Sequence, residues 1–320
     1  MEHVYDPISR VMIDFGIITW YKYSFMIMSG IIIAIVLGLR EGKKLGIKSE
    51  DIIDGVLIIV PLSIVGTRLW YVAFEWERYA WDLMAIINIT DGGLAIHGGF
   101  FTAFIAAYFY TKRKGINLFS TFDLMAPGFL IAQTLGRWGN FFNQEAHGGI
   151  IGGVSGESPA YSLDEQRAFL SETLHLPNFI TNNMLIKAEA GDPGHLGSLI
   201  DGATDYLTYN YYHPTFLYES VWNLTGFIIM IILRRTKILK RGDMLGIYLI
   251  WYSVGRYFIE GMRTDSLYVG DTGIRTAQLI SLLMILGGIV YLTVSRLVFK
   301  PMRYVDVIKQ NSEQNSEVEL

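Results

Sequence analysis

The sequence predicts an all-α membrane protein of seven transmembrane helices, N-terminus outside and C-terminus cytoplasmic, with a small external head domain. Three observations lead there. Seven apolar segments approach the ~20 residues that cross a bilayer. Lys and Arg are unevenly shared among the loops, and an excess of them marks the cytoplasmic side. Of 320 residues, 51% are hydrophobic and 18% charged, with a mean hydropathy of +0.33, whereas a soluble domain carries roughly 25% charge.

The elements follow in order. The N-terminal stretch MEHVYDPISRVMIDFG lacks a basic region followed by a short apolar core, so a cleavable signal peptide is not expected. The first span is Tyr23–Leu39, and REGKKLGIK after it holds four basic residues. The second, Ile52–Val72, returns outward. The third, Leu94–Tyr110, ends at KRK (112–114), and the fourth is Phe119–Trp138. Gly148–Tyr212 then has eight acidic against two basic residues. It is too long for a plain connection and is expected to fold as the external head. Tyr206, Tyr209, Tyr211 and Tyr212 near its end read as an interfacial aromatic belt. The fifth span, Phe216–Leu233, precedes RRTKILKR with five basic residues. Met244–Ile259 and Thr276–Val294 complete the set, with Arg296, Lys300, Arg303 and Lys309 beyond.

Sixteen basic residues thus fall on one side, and seven on the other: Arg10, Lys22, Arg78, Arg167, Lys187, Arg263 and Arg275. Arg68, Arg137 and Arg256 fall inside spans. The tail QNSEQNSEVEL (310–320) is polar and acidic, and disorder is expected there. The resulting division is 1–147 for the first four spans, 148–212 for the head, 213–299 for the last three spans and 300–320 for a disordered cytoplasmic tail.

Polar side chains inside apolar segments are costly, and here they gather at one depth. In this topology Tyr23, Arg68, His97, Arg137 with Asn140, Tyr218 with Glu219, and Arg256 with Glu260 and Arg263 all lie at the outer ends of six spans. Each alone has an ordinary reading. An arginine can snorkel, a histidine can be a core residue, and Glu260 can pair with Arg256 one turn earlier. The glycines of HGG and GRWGN can simply let helices approach. Independent accidents would scatter over both faces, however. Concentration at the level of outer-leaflet phosphates points to an anionic ligand.

The blocks that carry these residues resemble one family. GRWGNFFNQEAHG (136–148) is similar to the signature G-R-x-G-N-F-x-N-x-E-x-x-G of the prolipoprotein diacylglyceryl transferases. GTRLWYV (66–72), GGLAIHGG (92–99), HPTFLYE (213–219) and GRYFIEGMR (255–263) resemble its other blocks, in the same order. The resemblance implies a seven-span enzyme of the bacterial cytoplasmic membrane, with its active site toward the outer leaflet. It implies transfer of diacylglyceryl from phosphatidylglycerol to the lipobox cysteine of a prolipoprotein signal peptide. A thioether forms and glycerol phosphate leaves, as the first step of lipoprotein maturation. Arg137 is implied as the phosphate ligand and Arg256 as a second essential arginine. Catalytic importance is implied for His97, for Asn140, Glu145 and Glu260, and for a tyrosine at the start of the first span. Arg68, Asn140, Asn143, Tyr218, Glu260 and Arg263 are assigned to substrate binding. Where the family has Trp-Tyr-Gly, this chain has WYKYSF. Tyr21 keeps the Trp-Tyr pair; Tyr23 keeps the spacing to Gly30 and Arg40 and is preferred.

The chain has no cysteine, so in such a reaction the thiol belongs to the substrate. A thiol of pKa ~8.5 needs a base or a positive field to become a thiolate. His97, the one histidine within a span, is the residue type for that task. Arg137 and Arg256 would stabilise charge on the departing phosphate, with Glu145 and Glu260 positioning or pairing with them and Asn140 orienting the headgroup. Phe141 and Phe142 are expected at the lipid interface, and Gly136 and Gly139 are expected to let lipid approach the backbone. No metal or other cofactor is called for. The expected partners are phosphatidylglycerol, the lipobox peptide and membrane lipids, with no nucleic acid.

Three rival readings fit the sequence less well. A transporter or channel would line a whole pathway with polar residues, and there are no matched halves or internal repeats to suggest one. An intramembrane serine protease, prompted by Ser155 in GVSG, needs its serine in a membrane helix beside a histidine, but Ser155 lies in a Gly-rich loop. An inactive scaffold would not require the intact motifs.

Overall fold

The computed structural model describes residues 8–16, 19–88, 92–153, 161–187, 209–263, 266–270 and 272–318. Helices dominate: α1 (Lys22–Lys44), α2 (Ser49–Phe74), α3 (Trp76–Tyr79), α4 (Leu83–Ile87), α5 (Ile96–Lys114), α6 (Leu118–Asn143), α7 (Leu163–Ala168), α8 (Asn178–Asn183), α9 (Thr215–Leu233), α10 (Asp243–Met262), α11 (Thr276–Val294) and α12 (Tyr304–Val318). Among the described residues two antiparallel strand pairs accompany them, β1 (Val11–Asp14) with β2 (Thr19–Tyr21), and β3 (Leu185–Lys187) with β4 (Tyr209–Tyr211).

Among the described residues, five helices are long and apolar enough to cross a membrane: α1, α2, α6, α9, and α11 with its continuation to Phe299. The other two expected spans, α5 and α10, have 19 and 20 residues but are more polar. α5 ends in Lys112, Arg113 and Lys114, and α10 carries Asp243, Arg256 and Glu260.

The chain forms two compact units. The first comprises Met1–Ala34, Pro127–Ile232 and Gly246–Val294. Within it α9 and α10 lock together through Trp222 and Trp251, whose rings stack at 4.5 Å. Each indole N–H donates to the other residue's carbonyl, at 2.9 and 3.0 Å. Gly226 and Gly255 make room for these rings, since a Cβ at either would collide with an indole. α1 meets α6 backbone to backbone, where a Cβ on Gly30 would stand 2.9 Å from Ala132.

A second core in this unit gathers Phe141, Ile150, Ile151, Leu170, Ile180, Met184, Leu185, Tyr211, Tyr212 and Phe216. At its centre, buried Gln166 donates to Asn210 Oδ1 at 3.2 Å and accepts from the Tyr211 N–H at 2.8 Å. Tyr211, in β4, and Tyr212, bridged to Ile150, are buried core residues and not an interfacial belt. Tyr206 and Ser155 lie outside the described residues.

The second unit comprises Ile35–Ala126, Leu233–Leu245 and Ser295–Leu320. α2 and α5 interlock through glycines. A Cβ on Gly66 would strike the Thr102 side chain, one on Gly98 would strike Trp70 and the Gly66 carbonyl, and one on Gly99 would strike Thr67. Small residues allow this backbone contact between apolar helices. Elsewhere in the unit, buried Glu41 accepts from Arg235 at 2.7 Å and from the Tyr304 hydroxyl at 2.9 Å. Burial raises the Tyr304 pKa and keeps that hydroxyl protonated. Asp123 accepts from the N–H groups of Gly242 and Met244, at 2.7 and 3.2 Å.

Where composition predicts a disordered tail, the structure has helix α12. Its first turn supplies the reason, since Tyr304 and Val307 are buried and the Tyr304 N–H donates to the Leu239 carbonyl at 2.9 Å. The acidic string after them disguised these anchors.

Candidate active site

The signature segment ends α6 and then turns back on itself. Gln144 and Ala146 have φ of 52° and 57°, values that non-glycine residues adopt at some cost and that the surroundings must enforce. They do so here: the Gln144 side-chain amide donates to the Asn183 carbonyl at 3.1 Å, and Thr215 Oγ1 donates to the Ala146 carbonyl at 2.8 Å. The turn folds Glu145 back over the last turn of α6. Its Oε1 accepts from Asn140 at 3.0 Å and from Asn143 at 3.3 Å. Asn140 in turn accepts from Arg137 Nη1 at 3.3 Å.

One turn deeper the charges concentrate. Arg137 Nη2 lies 2.7 Å from Glu219 Oε1, and Arg256 Nη1 lies 3.4 Å from Glu219 Oε2. Arg256 Nη2 reaches Glu260 Oε2 at 2.6 Å. Arg137 also bonds the Tyr252 hydroxyl. The Arg275 guanidinium donates to the carbonyl of Glu260. Both carboxylates are buried, while the two arginine side chains keep 20% and 18% of their surface exposed. α6, α9 and α10 thus present two guanidinium groups that are fixed from behind by acids and open at the front, a geometry suited to an oxyanion.

Tyr23 joins this side of the fold. Its ring packs on Gly139, where a Cβ would stand 2.7 Å from it. Tyr21 instead belongs to β2 and is exposed. Arg263 pairs its backbone with Gly148, and the Tyr218 hydroxyl lies 3.3 Å from Nδ1 of His213. Burial lowers the His213 pKa, which keeps that ring neutral.

Several expectations need correction. Glu145 reaches Arg137 through Asn140 rather than directly, and the acid that pairs with both arginines is Glu219. Gly139 accommodates Tyr23 rather than lipid, although Gly136 is open. Phe141 is buried in the core and stacks on Phe216 at 4.7 Å, and Phe142 packs against that core. Phe141 is thus a core residue, because the turn at Gln144 draws this end of α6 into the folded region.

Arg68 is the largest departure. It lies in the second unit with its guanidinium occupied by the backbone. Nε donates to Ile86 at 2.9 Å, Nη1 to Gly92 and Gly93 at 2.9 Å each, and Nη2 to Ala85 at 2.6 Å. It also lies 4.9 Å from the centre of the Tyr79 ring. Arg68 therefore clips the segment between α2 and α5 and has little left to offer a headgroup. His97 is the second residue of α5, and is exposed.

Glu219 is the residue that sequence reasoning placed at the right depth but left out of the site. The signal available was an acid four residues from His213-Pro214-Thr215, in a span with no basic residue of its own to pair with.

The family described as Prolipoprotein diacylglyceryl transferase matches residues 10–294. Three relatives carry the name Phosphatidylglycerol--prolipoprotein diacylglyceryl transferase. The protein of Bacillus cereus is 43% identical over 289 residues, covering 90% of this chain and 93% of the relative. That of Halalkalibacterium halodurans is 40% identical, covering 90% and 87%. That of Bacillus anthracis is 42% identical, covering 90% and 93%. With a match across most of its length and relatives at this identity, the chain belongs to the prolipoprotein diacylglyceryl transferase family.

Proposed function

We infer that this chain transfers the diacylglyceryl group of phosphatidylglycerol to the lipobox cysteine thiol of a prolipoprotein, forming a thioether and releasing glycerol phosphate. The observation that supports a phosphate-centred site is the shared Glu219, which orients two partly open guanidinium groups. In the proposed reaction the cysteine thiol gives its proton to His97. The thiolate sulfur attacks the glycerol carbon that bears the phosphodiester. A C–S bond forms as that C–O bond breaks, and the electron pair leaves with the phosphate oxygen. Arg137 and Arg256 stabilise the charge that builds there, with Asn140 orienting the headgroup. Tyr23, Asn143, Tyr218, Glu260 and Arg263 line or brace the site, and Glu145 holds the two asparagines. Fixing two membrane-bound substrates in register supplies much of the remaining acceleration.

The proposed setting is the bacterial inner membrane, with α1, α2, α5, α6, α9, α10 and α11 as seven spans, the N-terminus and head outside, and the site toward the outer leaflet. Cysteines introduced singly at Lys112 and Glu157 should label from opposite sides of intact cells, and equal labelling would remove the topology.

The decisive assay is purified protein with phosphatidylglycerol and a lipobox peptide. Thioether product is expected, and its absence from folded, lipid-binding protein would overturn the function. For His97→Gln, transfer should vanish while lipid binding persists. Full activity would exclude His97, and lost lipid binding would recast it as a headgroup ligand.

A further inference from the structure

One turn from the arginine–carboxylate cluster, away from the head, lies a tier of side chains that carry unpaired polar atoms among the described residues. Asn223, four residues after Glu219 on α9, is fully buried, and neither its Oδ1 nor its Nδ2 is hydrogen-bonded. Ser253, three residues before Arg256 on α10, is also fully buried with an unpaired Oγ. It does not even donate to the preceding turn, as Thr134 and Ser281 do. Gln133, four residues before Arg137 on α6, donates to the Tyr248 hydroxyl at 2.9 Å but leaves a buried Oε1 unpaired.

These residues share a level. The Glu219–Arg256 pair and the Trp222–Trp251 stack set α9 antiparallel to α10, which brings Asn223 opposite the turn of Tyr252 and Ser253. The Gln133–Tyr248 bond aligns α6 with the same stretch.

An unmade hydrogen bond on a buried amide or hydroxyl is costly, and hydrocarbon supplies no water to relieve it. Three such residues at one level therefore point to a ligand. A ligand that accepts from Asn223 Nδ2 and Ser253 Oγ carries carbonyl-type oxygens. A helical turn advances about 5.4 Å, a spacing matched to the short glycerol backbone that joins a phosphodiester to its acyl esters.

We propose that Asn223 and Ser253 form a subsite for the ester carbonyls of the diacylglyceryl group. The subsite grips the portion of the lipid that is transferred, while Arg137 and Arg256 grip the portion that leaves. It holds the reacting carbon between two fixed points. This rests on the transferase reading above.

The test compares phosphatidylglycerol with its dialkyl ether analogue, which keeps the headgroup and chains but lacks both carbonyls. Transfer to a lipobox peptide and displacement of a fluorescent phosphatidylglycerol are both measured. Wild-type protein should prefer the diester by about tenfold, the effect of one lost hydrogen bond of this kind. In Asn223→Leu the preference should collapse toward unity through loss of affinity for the diester. Ser253→Ala, a smaller change, should reduce it in the same direction if Asn223→Leu does not fold. A wild-type protein indifferent to the ether overturns the subsite. So does a preference that survives in both variants, which would mark the tier as hydrated or structural. If neither lipid supports transfer but displacement favours the diester, the subsite stands and the transferase reading fails.

Discussion

Glu219 lies between Arg137 and Arg256, with one carboxylate oxygen 2.7 Å from the first guanidinium and the other 3.4 Å from the second. A buried carboxylate shared in this way fixes both cations without neutralising their open faces. Removing one partner from a fully buried pair costs about 3–5 kcal/mol, and solvent at the arginines makes the cost smaller here. Glu219→Gln, which keeps the shape and removes the charge, should lower transfer at least about tenfold at equal expression, a change of about 1.4 kcal/mol. A variant with wild-type rate would remove Glu219 from the site.

Arg137→Lys tests the fork itself. Lysine keeps the charge but offers a point donor in place of two parallel N–H groups. The expected loss is ~1–3 kcal/mol, the scale of one charge-assisted hydrogen bond, whereas Arg78→Lys in an exposed turn should be nearly silent. The readout is transfer rate at equal expression, with folding checked by monodispersity in detergent. A wild-type rate for Arg137→Lys would favour simple snorkelling.

For Arg68 the structure and the sequence disagree, and Arg68→Gln decides between them. A clip that donates four hydrogen bonds predicts faster hydrogen exchange over Ala85–Gly93 and a lower unfolding midpoint, with phosphatidylglycerol affinity unchanged. Weakened lipid affinity with unaltered exchange would restore Arg68 as a headgroup ligand.

His213 predicts a pH dependence. Burial lowers its folded-state pKa below the ordinary 6.5, so on acidification the unfolded chain binds a proton first, and stability rises with pH. Stability is unaffected by this group above about pH 6.5 and declines as the pH falls below it. Thermal midpoints from pH 8 to pH 5 should show the decline in the wild type and a shallower one in His213→Gln. Identical slopes would exclude the effect.

The helical frame was legible because apolar length and basic loops are one-dimensional signals. The site was partly legible: Arg137, Asn140, Arg256 and Glu260 meet as their shared depth suggested. What failed depends on direction. Arg68 and Arg137 look alike in sequence, yet one turns into loop carbonyls and the other toward an acid. Phe141 was assigned to lipid because nothing local announces that Gln144 and Ala146 adopt positive φ and bend the chain back. Partner choice across helices, as for Glu219, depends on three-dimensional register that no single segment encodes.

The two arginines and the two buried acids around them, Glu219 and Glu260, form a set with no net charge. An incoming phosphodiester adds one negative charge, but the glycerol phosphate that departs is a monoester carrying roughly −1.5 to −2. Turnover therefore drives the pocket toward self-repulsion, and the leaving group is held less well than the lipid it came from. Added glycerol phosphate should accordingly be a poor inhibitor of the wild-type protein and a better one of Glu260→Gln. Strong inhibition of the wild type would show that the acids do not act in this way.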